Sequence, residues 1–252
     1  MPNLILHTPH ASLRIPDYSH YLLPPEAVNA EALYLTDLYT DELFLPAQGD
    51  AVIRADFCRV YCDVERFKTD ALEPMSKFGM GAAYVRCDGG RELRRLTAEQ
   101  RDVILCDFYE PHHARLTALV DAALAKEEEA RIVDCHSFPD KPLCCSQYQG
   151  DAKFDFNIGT DAFHTPKEWI DASVKFFSGR GFRLGVDEPY SGSIVPMKHY
   201  QKNPLVKSIM LEVNRNLYMN KDYTRGPQFK ESRDIVAEFL KLIRGFSGLI
   251  KS

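Results

Sequence analysis

The segment Arg131-Ile-Val-Asp-Cys135, followed at once by His136, decides how the chain is read. It is a short apolar run bounded by the acidic Glu127 to Glu129 and by an irregular stretch from Pro139 to Pro166. A run of this length reads as a buried strand ending at a titratable side chain. Working outward, Asn3 to His7 has the same character and stops before Pro9, and Ser208 to Val213 (SIMLEV) repeats it. Ala51 to Ala55, Cys58 to Val64 and Phe182 to Val186 read as further short strands. Helical spacing fills the intervals. Ala27, Leu33, Leu35, Leu38 and Leu43 recur after Pro24. Thr97 with Gln100 matches a capping box and opens a helix that runs through Phe108 into Leu116, Val120 and Leu124. Pro111 is expected to kink or divide it, and Glu127 to Glu129 to be a solvated surface near its end. Pro166 to Gly179 and Arg233 to Phe246 are two more helices. Strands alternating with helices predict an α/β sheet covered on both faces, with its site at strand C-terminal ends. Glu65 to Gly90, with four glycines, reads as a long loop or lid.

Composition narrows the function. With 252 residues, 45% of them apolar, the chain can bury an ordinary core. The balance of 36 acids against 31 bases, net −5, argues against a nucleic-acid binder. No apolar run is long enough to span a membrane. The start, MPNLILHTPHAS, lacks the positive region of a signal peptide. Seven cysteines, an odd number without zinc-ribbon spacing, are expected to be reduced cytoplasmic thiols.

Three polar residues fall at comparable places on separate strands. His10 follows the first strand, His136 follows RIVDC, and Glu212 sits in SIMLEV. A carboxylate inside an apolar strand is costly unless paired or near a metal. Two histidines and an acid at convergent strand ends could hold zinc with one position left for water. A lone strand-end histidine is more often a hydrogen-bonding residue than a ligand, and it is the conjunction of three such residues on separate strands that shifts the balance. Asp37 and Asp41, four apart on one predicted helix face, could supply a third ligand or form a solvated acidic face. Of His112 and His113, about 100° apart on a helix, at most one should face a given site. Arg59, Tyr61, Asp63 and Glu65 share one face of the predicted Cys58–Val64 strand region. Arg59 there could clamp a carboxylate or an oxyanion, or belong to a structural ion-pair set. No Walker, GxGxxG or G-x-S-x-G pattern is present. Cys135, next to His136 on a strand, should point away from it. The Cys144–Cys145 pair is not read as a redox centre.

Several segments, in order, resemble the N-formylglutamate amidohydrolase family. They are TPHASLRIP (Thr8–Pro16), TDLYTDEL (Thr36–Leu43), CRVYCDVER (Cys58–Arg66), FGMGAAYVR (Phe78–Arg86), YEPHHARL (Tyr109–Leu116), IVDCHSFP (Ile132–Pro139), DFNIGT (Asp155–Thr160), PYSGSIVP (Pro189–Pro196) and LEVNRNLYM (Leu211–Met219). The resemblance implies a three-layer α/β/α fold on a mostly parallel or mixed sheet, similar to zinc carboxypeptidases, as one catalytic domain over residues 1–252. It implies one zinc ion and hydrolysis of N-formyl-L-glutamate to formate and glutamate, a late step of histidine breakdown. His10 and His136 match the zinc histidines. The carboxypeptidase-like glutamate three residues after the first histidine is replaced here by Leu13, so Asp37 is taken as the remaining metal ligand. Glu212 matches the general base, Arg59 the oxyanion arginine and Arg66 the arginine that binds the substrate carboxylate. Glu65 stands where the related D-x-N-R motif has Asn, so its charge would oppose an acidic substrate unless it turns away. Asn157 and His113 are further candidates for contacting the substrate, a small N-acyl amino acid. Another N-acyl amino acid or small peptide, or a non-catalytic binding role, is the alternative.

Overall fold

The computed structural model describes residues 3–144, 148, 150 and 153–246. In chain order the elements are β1 (Ile5–Thr8), α1 (Pro25–Leu35), α2 (Thr40–Leu43), β2 (Ala51–Arg54), α3 (Ala98–Ile104), α4 (Glu110–Glu127), β3 (Ala130–Phe138), β4 (Phe156–Gly159), α5 (Lys167–Ser178), β5 (Leu184–Val186), β6 (Val206–Asn214) and α6 (Phe229–Arg244). The six strands form one sheet in the order β2-β1-β3-β6-β4-β5. β2, β1, β3 and β6 are mutually parallel, β4 runs antiparallel to β6, and β5 is parallel to β4.

Successive strand residues point to opposite faces, and here the two faces differ in chemistry. Leu6, Val133, Cys135, Phe156, Ile158, Ile209 and Leu211 pack against Trp169 and Phe177 of α5 and Val236, Phe239 and Ile243 of α6. Ile5, Ile53, Ile132 and Val206 pack against Leu116 and Val120 of α4. Each such side chain contributes about 1.5–3 kcal/mol by leaving water. The result is a sheet between helical layers. A third apolar cluster joins Val28, Ala32 and Leu35 of α1 to Phe57, Val64, Tyr84, Leu93 and Ile104, and so anchors the long 65–90 segment beside the sheet. That segment is mainly turns, with one 3₁₀ turn at Pro74–Phe78.

The Thr97 capping box is present, with reciprocal bonds to Gln100. The helix it opens is divided as Pro111 predicts, by a π-helical turn, Leu105–Tyr109, just before the proline. Pro111 lacks the N–H an α-turn would need, and the wider turn absorbs the mismatch. Four expectations need correction. Cys58–Val64 forms turns rather than a strand, so Arg59, Tyr61, Asp63 and Glu65 do not share a strand face. The helix after Pro24 stops at Leu35, and Asp37 lies on a connecting turn before Tyr39, whose φ is +66°. Asp41 therefore leaves Asp37 and pairs with Arg54. Glu129 is buried and pairs with Arg131 and Lys207 instead of facing solvent. β4 lies within the stretch expected to be irregular. The bond of Cys135 to the Val133 carbonyl, on the face away from His136, agrees with its predicted direction. Cys145 lies outside the described residues. Among the described residues, no helix is long and apolar enough to cross a membrane.

Candidate active site

The face of the sheet that packs on α4 turns polar toward the strand ends. After Ile5 comes His7, after Ile132 come Asp134 and His136, and after Val206 come Ser208 and Glu212. Register brings them together: His7 lies opposite Asp134, His136 opposite Glu212, and Glu212 opposite Asn157. Of these, Asp134, His136 and Glu212 border a cavity of about 450 Å³, lined also by His10, Asp37, Arg59, Glu65, Arg66, His113, Tyr190 and Arg215. That size falls within the usual range of small-molecule sites, about 300–1,000 Å³.

His10, Asp37 and His136 are all buried, and one ligand atom from each lies within 4.8 Å of the others. Asp37 Oδ2 is 3.2 Å from His136 Nδ1 and 3.6 Å from His10 Nδ1. His10 Nδ1 has no hydrogen-bond partner. The opposite atom of each group is already engaged. His10 Nε2 donates to Asp63 Oδ1 at 2.8 Å, His136 Nε2 donates to Asp134 Oδ1 at 3.0 Å, and Arg215 Nη2 donates to Asp37 Oδ1 at 2.9 Å. Carboxylate partners of this kind fix which imidazole nitrogen faces a metal. An orphaned imidazole nitrogen, a second imidazole and a monodentate carboxylate suit a divalent cation of the zinc type.

Electrostatics push the same way. Burial would raise the Asp37 carboxyl, but the neighbouring His10, His136 and Arg215 hold it well below the usual carboxylate range. Burial opposes a charge on His136, yet Asp134 and Asp37, with Glu65, hold its proton well above the ordinary imidazole value. Without a cation, a proton fills that role. Glu212 is different: burial lifts its carboxyl to about 8, against the influence of His136 and with a push from Asp37. Its Oε2 is buried and unbonded. A carboxyl poised near neutrality in a cleft is a candidate general base.

Asp63 is the hub beneath. Its Oδ2 accepts from Arg59 Nη2 at 3.0 Å and from Tyr84 Oη at 2.6 Å, and Arg66 Nε approaches it to 3.5 Å. Arg66 Nε makes no hydrogen bond. Glu65 turns its Oε1 to 3.0 Å from His7 Nδ1, so its charge is directed onto that imidazole. His113 lines the cavity, but its Nε2 donates to the Val64 carbonyl at 2.9 Å, and burial lowers its pKa to about 4, leaving it neutral. His112 turns instead to His7, Nε2 to Nε2, at 2.9 Å. Asn157 is not brought to the cavity. It is fully buried, and its Nδ2 donates to the Tyr190 carbonyl, bracing the wall.

The supporting residues Asp63, Asp134, Arg215 and His7 are absent from the ligand and substrate candidates read in the sequence. For Asp134 a signal existed: it is a carboxylate inside an apolar strand, two residues from His136 and hence on the same face. Arg215 carried no such signal, because an arginine just past a strand end usually meets water.

An α/β sheet presenting two histidines and an acid around a buried carboxylate defines a hydrolase-like scaffold with a cation-ready site. A family model described as N-formylglutamate amidohydrolase matches residues 3–219. The chain belongs to the N-formylglutamate amidohydrolase family. Its fold is similar to the crystal structure of N-formylglutamate amidohydrolase from Ralstonia eutropha JMP134, with a TM-score of 0.84 and 21% identity over 96% of this chain and 93% of that one. It is also similar to gene product Atu2144 from Agrobacterium tumefaciens, with a TM-score of 0.66 and 18% identity over 96% of this chain and 91% of that one. A search of curated proteins found no match.

Proposed function

We propose that this chain hydrolyses the amide bond of N-formyl-L-glutamate to formate and L-glutamate, using a zinc ion held by His10, Asp37 and His136. We place the reaction in the cytoplasm, in histidine breakdown; the described cysteines are all free, as that compartment favours. What carries the proposal is the convergence of three buried ligand atoms within 4.8 Å, in a chain of this family. Bound there, the cation would supply Lewis acidity, acidifying a water and polarising the scissile carbonyl.

The protein's own groups do the rest. Glu212 takes a proton from the attacking water and returns it to the leaving amine nitrogen. Arg59 lines the cavity, and its contacts to Asp63 and Tyr84 engage only Nε and Nη2. Its other donors stabilise the negative charge that develops on the carbonyl oxygen. Arg66, with its unbonded Nε, receives a substrate carboxylate. His113 offers a neutral ring as part of the wall. Phe67, Glu73, Pro74 and Met75 of the 65–90 segment line the cavity and would exclude water from a bound substrate.

The test is release of the free amino acid, glutamate or aspartate, by zinc-loaded protein from N-formyl-L-glutamate, N-acetyl-L-glutamate and N-formyl-L-aspartate. Preference for the first substrate, abolished by a chelator and restored by zinc, is expected. Hydrolysis of none of them refutes the activity. Equal turnover of all three refutes the substrate.

A further inference from the structure

Behind His136 lies a second group of ligand atoms that the proposed hydrolysis does not use. His7 Nδ1, Glu65 Oε1 and Asp134 Oδ1 also lie within 4.8 Å of one another. His7 and Asp134 are fully buried. His7 Nδ1 is faced by two carboxylate oxygens at once, Asp134 Oδ1 at 2.8 Å and Glu65 Oε1 at 3.0 Å. One ring nitrogen carries at most one proton. That proton is directed at Asp134, and Glu65 Oε1 is buried without a hydrogen bond. An anionic oxygen left so is costly. His7 Nε2 is already turned onto His112 Nε2 at 2.9 Å, so the ring is held with Nδ1 toward the acids.

We propose that His7, Glu65 and Asp134 form a second divalent-cation site, distinct from the one at His10, Asp37 and His136. One imidazole nitrogen and two carboxylate oxygens suit zinc, manganese or cobalt. A cation there satisfies all three ligand atoms together, which a single proton cannot do. Its partner Asp134 Oδ1 is the acceptor for His136 Nε2, so this cation positions His136 from behind. The proposal stands whether or not the chain hydrolyses N-formylglutamate.

The experiment is equilibrium dialysis against buffered micromolar zinc, with elemental analysis of the full chain. Wild type is expected to hold two zinc ions per chain. Glu65→Gln and Asp37→Ala are each expected to hold one. One ion per chain in wild type, or two in Glu65→Gln, overturns the second site. Anomalous diffraction at the zinc edge from loaded wild-type crystals keeps the question decidable if a variant fails to fold. A peak among His7, Glu65 and Asp134 is expected; its absence assigns that place to a proton on His7. Two ions with no hydrolysis of N-formylglutamate refutes the substrate proposal and leaves this one standing.

Discussion

Asp63→Asn is the most informative single change, because Asp63 supports His10 and two guanidiniums at once. The wild-type carboxylate is fully buried and accepts from His10, Arg59 and Tyr84 and from the Glu65 backbone N–H. Asparagine preserves the volume but removes the charge and turns one acceptor into a donor facing donors. Leaving buried cations without their counter-charge costs roughly 3–5 kcal/mol. For a chain of this size, about 2–4 °C per kcal/mol gives a fall in Tm of roughly 6–20 °C. Zinc affinity should drop about 10–100-fold, the usual cost of losing a partner that orients a ligand. Burial would raise the Asp63 carboxyl, but His10, Arg59 and Arg66 hold it well below the usual range. Its folded pKa is therefore depressed. The stability it adds is present above the unfolded value near 4 and is lost as pH falls below that. The variant should thus lose less stability than wild type on acidification below about pH 4. Calorimetric melts across pH and competitive zinc titration measure these effects. A variant within about 1 kcal/mol of wild type, with unchanged zinc affinity, would refute the role of Asp63 beneath His10.

Glu212→Gln should retain zinc and fold but lose roughly 10²–10⁴ in kcat, and single-substrate kinetics with elemental analysis check both. Asp37→Ala should empty the first site by elemental analysis; undiminished zinc would move the ligand role elsewhere. Zinc loading of Glu65→Gln, which is expected to take up only the first ion, should at pH 7 release about one proton from His136, since the imidazole held protonated must become neutral to ligate; calorimetry in buffers of different ionisation heat reads it, and no release contradicts Nδ1 ligation. Gly159→Ala would place a Cβ 2.3 Å from the Gly192 carbonyl oxygen and from Met210 Cε, both in cavity-lining residues. The expected cost is about 1–3 kcal/mol and a raised KM, read by melts and steady-state kinetics.

The parts legible in sequence are those governed by a local period. RIVDC, Asn3–His7 and SIMLEV are apolar runs of strand length, and the capping box at Thr97 is a contiguous signal. The period of two even implies that Asp134 and His136 share a face. Less legible were features decided by distant partners. Cys58–Val64 has strand-like composition, but Asp63 is held by His10, Arg59 and Tyr84, and the backbone turns to allow it. Asp37 leaves the predicted helix because the backbone turns extended at Thr36, and Arg215 holds the acid inward. β4 is four residues long, too short to stand out from its irregular surroundings. Asn157 looks like a substrate contact in sequence because polar residues near a site resemble one another; its bond to the Tyr190 carbonyl is visible only in three dimensions.

Arg215 has a consequence for how the molecule is made. It donates to the carbonyls of Tyr34 and Leu35, where α1 ends, and to Asp37, 178 residues upstream. A ribosome-bound chain that has emerged only as far as β3 already carries both imidazoles and the acid, yet lacks the arginine that orients that acid. The placing of that acid beside the two imidazoles is thereby deferred to the last third of synthesis, when β6 has taken its place in the sheet.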